Sequence, residues 1–216
     1  MGRGNTVART SSRWFVVLAA IAVVAASGAR AQTARASVVG DLLGFCNGTF
    51  AQPFAQFGDD SNYLPVPNNG FENGASGWNL SGPAYVTSGN ESFFVGDASD
   101  SRSLRLLPGG SATSGVACNG TLGLKGRFFV RNLGDPSARL KVQVVYRGLF
   151  GFVISTLDVA SIQAADTTWA PSDPVPLLGG LAAALPLGTR SVALRFVASG
   201  GDWRIDDVFV DPICQL

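Results

Sequence analysis

Histidine is absent from the 216 residues of this chain, and charged residues make up only 14% of it. Without histidine, the chain lacks the usual general base near neutral pH and the commonest metal ligand in proteins. Nucleophile systems that pair a serine or a cysteine with a histidine are excluded for the same reason. We therefore do not expect an enzyme, and the composition favours a binding or structural role.

Basic residues are also too few to suggest a nucleic-acid partner. The formal net charge is +1, but four of the 16 basic residues and none of the acidic ones lie in the first 31 residues. Residues 32–216 hold 12 basic and 15 acidic residues, a net charge of −3. A general nucleic-acid binder needs a net basic face. We expect no nucleic-acid binding.

The N-terminus has the pattern of an export signal. Arg3, Arg9 and Arg13 precede a 13-residue apolar run, 14–26, which is followed by small residues up to Ala31. This order predicts a signal peptide over residues 1–31 that is cleaved after Ala31. The alternative is a retained membrane anchor, but a spanning helix needs roughly 20 apolar residues. We expect a secreted, extracellular protein without stable membrane insertion after cleavage.

Cysteine is scarce, with Cys46, Cys118 and Cys214 as the whole set. In an oxidising compartment two of the three should pair and one is left over. We expect a Cys46–Cys118 disulfide, which would tie the segment before the first strand to the folded domain. Cys214 is then either free or part of an intermolecular bridge. A zinc site is not expected from three isolated cysteines without histidine.

Short runs of alternating apolar and polar residues recur from residue 71 onward, separated by Gly, Asn, Asp, Pro and Ser. Many short strands at near-regular spacing are typical of an all-β sandwich or barrel. Residues 32–67 lack this pattern and form an irregular, Phe-rich lead-in, and residues 213–216 form a C-terminal tail. The predicted strands are 77–80, 84–88, 92–95, 102–107, 115–118, 126–132, 139–147, 151–159, 174–178, 190–198 and 203–210.

Alternation within the later strands assigns side chains to two faces, because residues i and i+2 of a strand share a face. One face is wholly apolar in 127–131, 139–147 and 190–198, and we expect it to lie in the core. The other face mixes basic and aromatic groups and is a candidate ligand surface. Arg127 and Arg147 belong to this face, and its candidate ligand-binding residues are Phe129, Arg131, Lys141, Gln143 and Arg195.

Three motifs in order resemble a known family. They are the Asn-Gly-Phe-Glu-Asn-Gly stretch at 69–74 with Trp78, Ser-Arg-Ser-Leu-Arg-Leu at 101–106, and Trp-Arg-Ile-Asp-Asp-Val at 203–208. Together they resemble the jelly-roll carbohydrate-binding modules of the galactose-binding-like superfamily. With its cysteine-bearing lead-in, the chain also resembles a group of secreted actinobacterial proteins. The resemblance implies a jelly-roll β-sandwich of two antiparallel sheets over residues 68–212.

The resemblance also implies a structural Ca²⁺ held by Glu72 and Asp206, with Asp207 as the alternative ligand. Carboxylates and turn carbonyls are the oxygen ligands that Ca²⁺ prefers. The alternative is that Glu72 accepts hydrogen bonds from backbone amides or pairs with an arginine such as Arg204, while Asp206 or Asp207 ends the sheet edge. The residues alone leave both interpretations open.

Three functions remain after these observations. A non-catalytic module that binds a cell-wall or acidic polysaccharide would use the mixed face, although that face could equally be solvated or covered by the lead-in or by residues 174–187. A structural or adhesive extracellular protein is the alternative. A glycoside hydrolase is less favoured, because no motif pairs the carboxylates of Glu72, Glu91, Asp206 and Asp207.

Overall fold

The computed structural model describes residues 1–2, 49–115, 118–119, 125–163, 167–177 and 191–211. Residues 3–31 of the predicted signal peptide, Cys46, Cys214 and the side chain of Cys118 lie outside the described residues, so the export and disulfide predictions stay predictions. Residues Met1–Thr33 form one unit and Ala34–Leu216 another. The second unit contains the strands described below, and no helix among the described residues is long and apolar enough to cross a membrane.

Strands and two short 3-10 turns make up the regular structure of the described residues. The turns are Ala55–Phe57 and Leu149–Gly151. The strands are β1 (Leu64–Pro65), β2 (Asn79–Ser81), β3 (Ala84–Ser88), β4 (Arg102–Leu106), β5 (Ser111–Thr113), β6 (Cys118–Asn119), β7 (Lys125–Asn132), β8 (Arg139–Arg147), β9 (Val153–Ile162), β10 (Ala170–Pro171), β11 (Val175–Pro176), β12 (Ser191–Ser199) and β13 (Trp203–Asp211).

These strands form two sheets. Sheet one has the order β10-β7-β13-β4-β3, with β1 also paired to β13 and β11 to β7. Sheet two has the order β2-β5-β12-β8-β9, with β6 also paired to β12. The pairings among the described strands are antiparallel. The chain is therefore an all-β, jelly-roll-type sandwich of two antiparallel sheets, as the sequence predicts.

The main core lies between the sheets and is built from the apolar alternation of the strands. In β8 the inward residues Leu140, Val142 and Val144 are fully buried. They lie opposite β12 residues in register, with Leu194 across from Val144 and Phe196 across from Val142. The predicted core face is confirmed in these strands.

A second aromatic cluster covers the outer face of sheet one. We call Phe54, Tyr63, Phe129, Trp169 and Phe209 the outer aromatic cluster. Its first two members come from the lead-in, so this irregular segment packs across the sandwich and buries rings that would otherwise be exposed. Each large aromatic side chain buries about 150–250 Å² in such packing.

An ion pair fixes the lead-in to the same face. Asp59 Oδ2 lies 2.6 Å from Nη1 of Arg127 and accepts a hydrogen bond from the Tyr63 hydroxyl at 2.7 Å. Burial opposes ionisation of Asp59, but hydrogen bonds from Tyr63, Ser61 and Arg127 outweigh it and lower the pKa of Asp59 to about 2. The lead-in is therefore held by both apolar and charged contacts.

Candidate functional site

The opening turn and the closing strand meet at a β-bulge in β13. Pairing of β13 with β7 is interrupted between Asp206 and Phe209, and Asp207 has a positive φ of 44° there. The Val208 amide donates to the Asn69 carbonyl at 3.3 Å, and Asn69 Nδ2 donates to Asp207 Oδ1 at 3.0 Å. The two motifs that the resemblance singled out are thus in direct contact.

Carboxylates are buried at this contact, and we call Glu91, Asp100, Asp206 and Asp207 the acidic junction. Glu91 and Asp206 are fully buried, and Asp207 is 1% exposed. Burial, with the charge of Asp207 adding to it, raises the pKa of Asp206 to about 9. Burial and the charges of Glu91 and Asp100 raise the pKa of Asp207 to about 7, although the Gly96 amide partly opposes this.

Backbone amides satisfy part of this acidic junction. The Glu91 carboxylate accepts hydrogen bonds from the amides of Phe93 and Val95, the latter at 2.7 Å. Asp206 accepts from the amides of Glu91 at 2.9 Å and Asp207 at 3.0 Å. The predicted strand 92–95 is therefore wrong, because these residues wrap around the Glu91 carboxylate as a loop. Asp207 Oδ2 is buried and has no hydrogen-bond partner in the described part of the chain.

Two glycines show that the junction is a tight convergence of carboxylates. A Cβ at Gly70 would lie 3.2 Å from Asp207 Oδ1, 3.8 Å from Asp100 Oδ2 and 3.9 Å from Asp206 Oδ1. A Cβ at Gly96 would lie 2.6 Å from Asp100 Oδ2. Any side chain at either position would therefore intrude where three carboxylates face one another.

The donor set suits a hard cation, since Ca²⁺ is bound by carboxylate and carbonyl oxygens. No group of three acidic side chains in the described residues is arranged to hold a metal ion. Binding of a cation would therefore need carbonyl or water ligands as well, and a small movement of the carboxylates. The observation in favour of such an ion is the buried Asp207 Oδ2, which has no hydrogen-bond partner in the described part of the chain.

Glu72, the predicted ligand, has other partners. Its Oε1 accepts hydrogen bonds from the amides of Ser101 at 2.8 Å and Arg102 at 2.7 Å. Its Oε2 accepts a hydrogen bond from the Ser101 hydroxyl at 3.1 Å. This geometry matches the amide-bonded alternative. Glu72 still lies near enough for its charge to raise the pKa of both Asp100 and Asp207. Asp100, which belongs to none of the three sequence motifs, occupies the position nearer the convergence.

The five residues of the predicted ligand surface lie on two sheets rather than one. Phe129 and Arg131 belong to β7 in sheet one, whereas Lys141, Gln143 and Arg195 belong to β8 and β12 in sheet two. The prediction of a single surface is wrong, because the strands that carry the two subsets point their outer faces to opposite sides of the sandwich. Phe129 is also fully buried under the outer aromatic cluster, so it offers no exposed ring.

The outer face of sheet two is open and contains a cleft of about 440 Å³. Gln143 and Arg195 are register partners beside it. Gln143 donates to Asp158 at 2.6 Å, and Lys141 lies 3.7 Å from the same carboxylate. The residues that line the cleft are Asn79, Ser81, Ser111, Thr113, Val145, Arg147, Val153, Thr156 and Arg195.

Arginine supplies the positive charge of this cleft. Arg195 makes a long contact of 3.4 Å to the Ser111 hydroxyl, and its Nε has no hydrogen-bond partner in the described residues. Arg147 donates to the Gly151 carbonyl at 3.0 Å. In the described part of the chain neither arginine has an ion-pair partner within 4.0 Å. The positive charge of the cleft is therefore not neutralised by an ion pair within the described residues.

An apolar hairpin tip adjoins the cleft and was missed at the sequence level. Between β8 and β9, Phe150 is 95% exposed, Phe152 59%, Leu149 57% and Val153 53%. Arg147 and Val153 belong to both the hairpin and the cleft lining. The run Leu-Phe-Gly-Phe-Val at 149–153 was the available signal, but the sequence does not say whether it is buried.

No protein-family model matches the sequence, and no curated protein matches it. Three solved structures illustrate the structural comparisons. The enzymatically active domain of the bacteriophage CBA120 tailspike protein 4 is 18% identical, with a TM-score of 0.48, over 68% of this chain and 21% of that one. A Clostridium thermocellum xylanase 10B fragment with CBM22-1 and GH10 modules is 17% identical, with a TM-score of 0.48, over 68% of this chain and 28% of that one.

The CBM22-1 xylan-binding domain of Paenibacillus barcinonensis Xyn10C is 16% identical, with a TM-score of 0.46, over 70% of this chain and 94% of that one. This chain thus spans between a fifth and a third of the first two structures and most of the third. The assignment of an all-β fold with two sheets rests on the strand pairings of this chain itself.

Proposed function

We propose that this chain is a secreted, non-catalytic module that binds a cell-wall or acidic polysaccharide in the cleft of sheet two. The observation that carries the proposal is the lining of that cleft, in which amide, hydroxyl and guanidinium groups meet on an open sheet face. Sugar hydroxyls both donate and accept hydrogen bonds, so planar polar side chains such as Asn79 and Arg195 suit them. Arg147 and Arg195 add a preference for acidic sugars.

The same lining supports a non-catalytic role. Glycoside hydrolysis needs two carboxyl groups about 5–9.5 Å apart across the scissile bond. Among the described residues, the cleft lining contains no Asp or Glu. The carboxylates with the most strongly raised pKa, Asp206 and Asp207, are buried at the acidic junction and have no access to a substrate.

Affinity electrophoresis tests the proposal on the full chain, with gels that contain xylan, polygalacturonate or solubilised peptidoglycan. We expect retardation by at least one of them, and Arg195→Gln should weaken it about tenfold or more, because a charge-assisted hydrogen bond is lost. The matched control is Arg139→Gln, which removes an exposed arginine of the same sheet outside the cleft. Equal weakening by both variants, or none by Arg195→Gln, would refute the cleft as the site.

We further propose that a structural Ca²⁺ binds at the acidic junction through Asp100, Asp206 and Asp207, with Glu72 beside it. A bound cation would neutralise the negative charge of the buried carboxylates. The expected result is a melting temperature that rises with millimolar Ca²⁺ and falls with EGTA, and Asp207→Asn should abolish the difference. If Glu72→Gln abolishes it while Asp207→Asn leaves it intact, the ligand set proposed here is wrong.

An adhesive role is the second candidate, favoured by the exposed apolar hairpin tip at 149–153. Phe150 is nearly fully exposed, and such a side chain gains free energy when another surface covers it. Phe150→Ser should then lower retention on a hydrophobic surface while leaving polysaccharide binding unchanged. Loss of polysaccharide binding in that variant would instead assign the tip to the cleft.

A further inference from the structure

Three arginines of sheet one form a row across neighbouring strands on its outer face. Arg204 of β13 is the register partner of Arg131 in β7 on one side and of Arg105 in β4 on the other. Directly opposed residues of an antiparallel pair point to the same face with their Cβ atoms about 5 Å apart. We call these three residues the arginine row.

Aromatic rings stand at both ends of the row. The Arg131 guanidinium lies 4.7 Å from the ring centre of Trp169, and that of Arg105 lies 5.8 Å from the ring centre of Tyr85. Such cation–π contacts hold a guanidinium plane while leaving its N–H edge free to donate. Trp169 is buried, whereas Tyr85 is 41% exposed, so one end of the row is open to solvent.

Like charges directly opposite each other destabilise a sheet, and this row is only partly neutralised. Arg105 forms a two-point ion pair with Asp202, at 2.5 and 2.8 Å. Within the described part of the chain, the partner of Arg204 is neutral, the Ser88 carbonyl at 2.7 Å. Burial, and after it the charge of Arg204, lower the pKa of Arg131, while the charge of Asp202 opposes this.

Hydrogen-bond acceptors are also in short supply along the row. The Nε atoms of Arg131 and Arg204 are buried and have no partner in the described part of the chain. Asp206 lies two residues after Arg204 on the same face. Its two carboxylate oxygens already accept hydrogen bonds from the amides of Glu91 and Asp207. The row therefore carries positive charge that the described residues only partly neutralise.

We propose that the arginine row is a second binding site, which takes the carboxylate or sulfate groups of an acidic polysaccharide lying across the strands of sheet one. Arginine presents a planar fork of donors that matches such oxyanions in two-point contacts. Adjacent strands are about 4.8 Å apart, so the backbone positions of the three arginines follow one another across the sheet at about that spacing. This site is separate from the cleft of sheet two and goes beyond the function proposed for that cleft.

A polymer of repeated charges fits the row better than a single small anion, because the three arginines occupy register positions on three adjacent strands. A nucleic acid also carries repeated charges, but single-strand binders stack bases on exposed aromatic rings, and Trp169 at one end of the row is buried and in contact with Arg131. An acidic polysaccharide is therefore the ligand class that the observations favour.

The test is affinity electrophoresis of the full chain in gels with dextran sulfate, polygalacturonate or uncharged dextran. We expect retardation by one or both charged polymers and none by dextran, with the two charged arms separating sulfate from carboxylate recognition. In the Arg131→Gln/Arg204→Gln double variant the apparent affinity should fall at least tenfold, because charge-assisted contacts are lost. Arg139→Gln, which removes an exposed arginine of sheet two, should change it less than twofold.

The melting temperature of the double variant controls for folding. Removing like charges that face each other relieves repulsion, which offsets the lost contacts of Arg131 with Trp169 and of Arg204 with the Ser88 carbonyl. The variant should therefore unfold in a single transition near that of the parent chain. An equal loss of affinity for the charged polymers in Arg139→Gln, or no loss of affinity in the double variant, would overturn the proposal. Tighter binding of a single-stranded oligonucleotide than of either polysaccharide, abolished by the double variant, would overturn the ligand class.

Failure of this site and failure of the cleft are distinguishable with the same reagents. If the cleft proposal fails but the row is correct, Arg195→Gln leaves dextran sulfate binding intact and the double variant abolishes it. If the row proposal fails but the cleft is correct, the double variant keeps the binding that Arg195→Gln loses.

Discussion

Raising the pH from 4 to 7 in the presence of a chelator should destabilise this domain, which is the reverse of the usual behaviour of carboxylates. Folding raises the pKa of Asp206 to about 9 and that of Asp207 to about 7, whereas an unperturbed aspartate titrates near 3.9. Between these values the folded state holds more protons than the unfolded state. The free energy of unfolding must therefore decrease as pH rises through this interval.

The size of the effect follows from the number of protons involved. Each group that is protonated only in the folded state changes the free energy of unfolding by about 1.4 kcal/mol per pH unit. One group predicts a slope of about 1.4 kcal/mol per unit and both together about 2.8 kcal/mol per unit. Asp59 acts in the opposite direction, since its pKa is lowered to about 2, but its contribution is complete above about pH 5.

The assay is urea unfolding followed by tryptophan fluorescence at half-unit pH steps between 4 and 8 in EGTA. Asp207→Asn should reduce the slope, and Asp60→Asn, which changes an exposed aspartate, should leave it unchanged. Millimolar Ca²⁺ should abolish or reverse the slope, because a cation favours the deprotonated carboxylates. A stability that rises with pH between 4 and 7 in EGTA would refute the burial of uncompensated carboxylates.

Three further predictions concern other parts of the molecule. Phe129→Ala should lower the free energy of unfolding by about 3–5 kcal/mol in urea titrations, because it leaves a cavity in the outer aromatic cluster. A loss below about 1 kcal/mol would contradict the burial of Phe129. Gly96→Ala should weaken any Ca²⁺-dependent rise in melting temperature, because its Cβ would lie 2.6 Å from Asp100 Oδ2. Peptide mapping without reduction should find a Cys46–Cys118 peptide, and a Cys46–Cys214 peptide would refute that pairing.

Strand positions and the main core could be predicted because both follow from the alternation of apolar and polar residues along each strand, which is a local pattern. The predicted strand 139–147 coincides with β8, and 84–88 coincides with β3. Inward residues such as Val142 and Phe196 belong to wholly apolar sets, which have no alternative place in a sandwich. Trp78 and Trp203, which stand in two of the sequence motifs, are also buried.

The candidate sites could not be predicted to the same extent, because they depend on which strands are neighbours. Arg131 and Lys141 lie on consecutive strands, but the connection passes from one sheet to the other. Phe129 looks outward by alternation, and only the fold of the lead-in places Phe54 against it, with ring centres 5.4 Å apart. The alignment of Arg204 with two other arginines requires the register of three strands, which no local pattern contains.

The bulge at Asp207 explains why the acidic junction and the closure of the sandwich are one feature. A non-glycine residue at a positive φ costs roughly 1–2 kcal/mol, and Asp207 has φ 44°. This conformation frees the Val208 amide from β7, and that amide bonds the opening turn at Asn69. It also turns the Asp207 carboxylate toward Asn69 Nδ2 at 3.0 Å. Because the same residue carries the strain, the buried carboxylate and the contact with the opening turn, a proton or a cation bound by Asp207 would act directly on the place where the opening turn meets the closing strand.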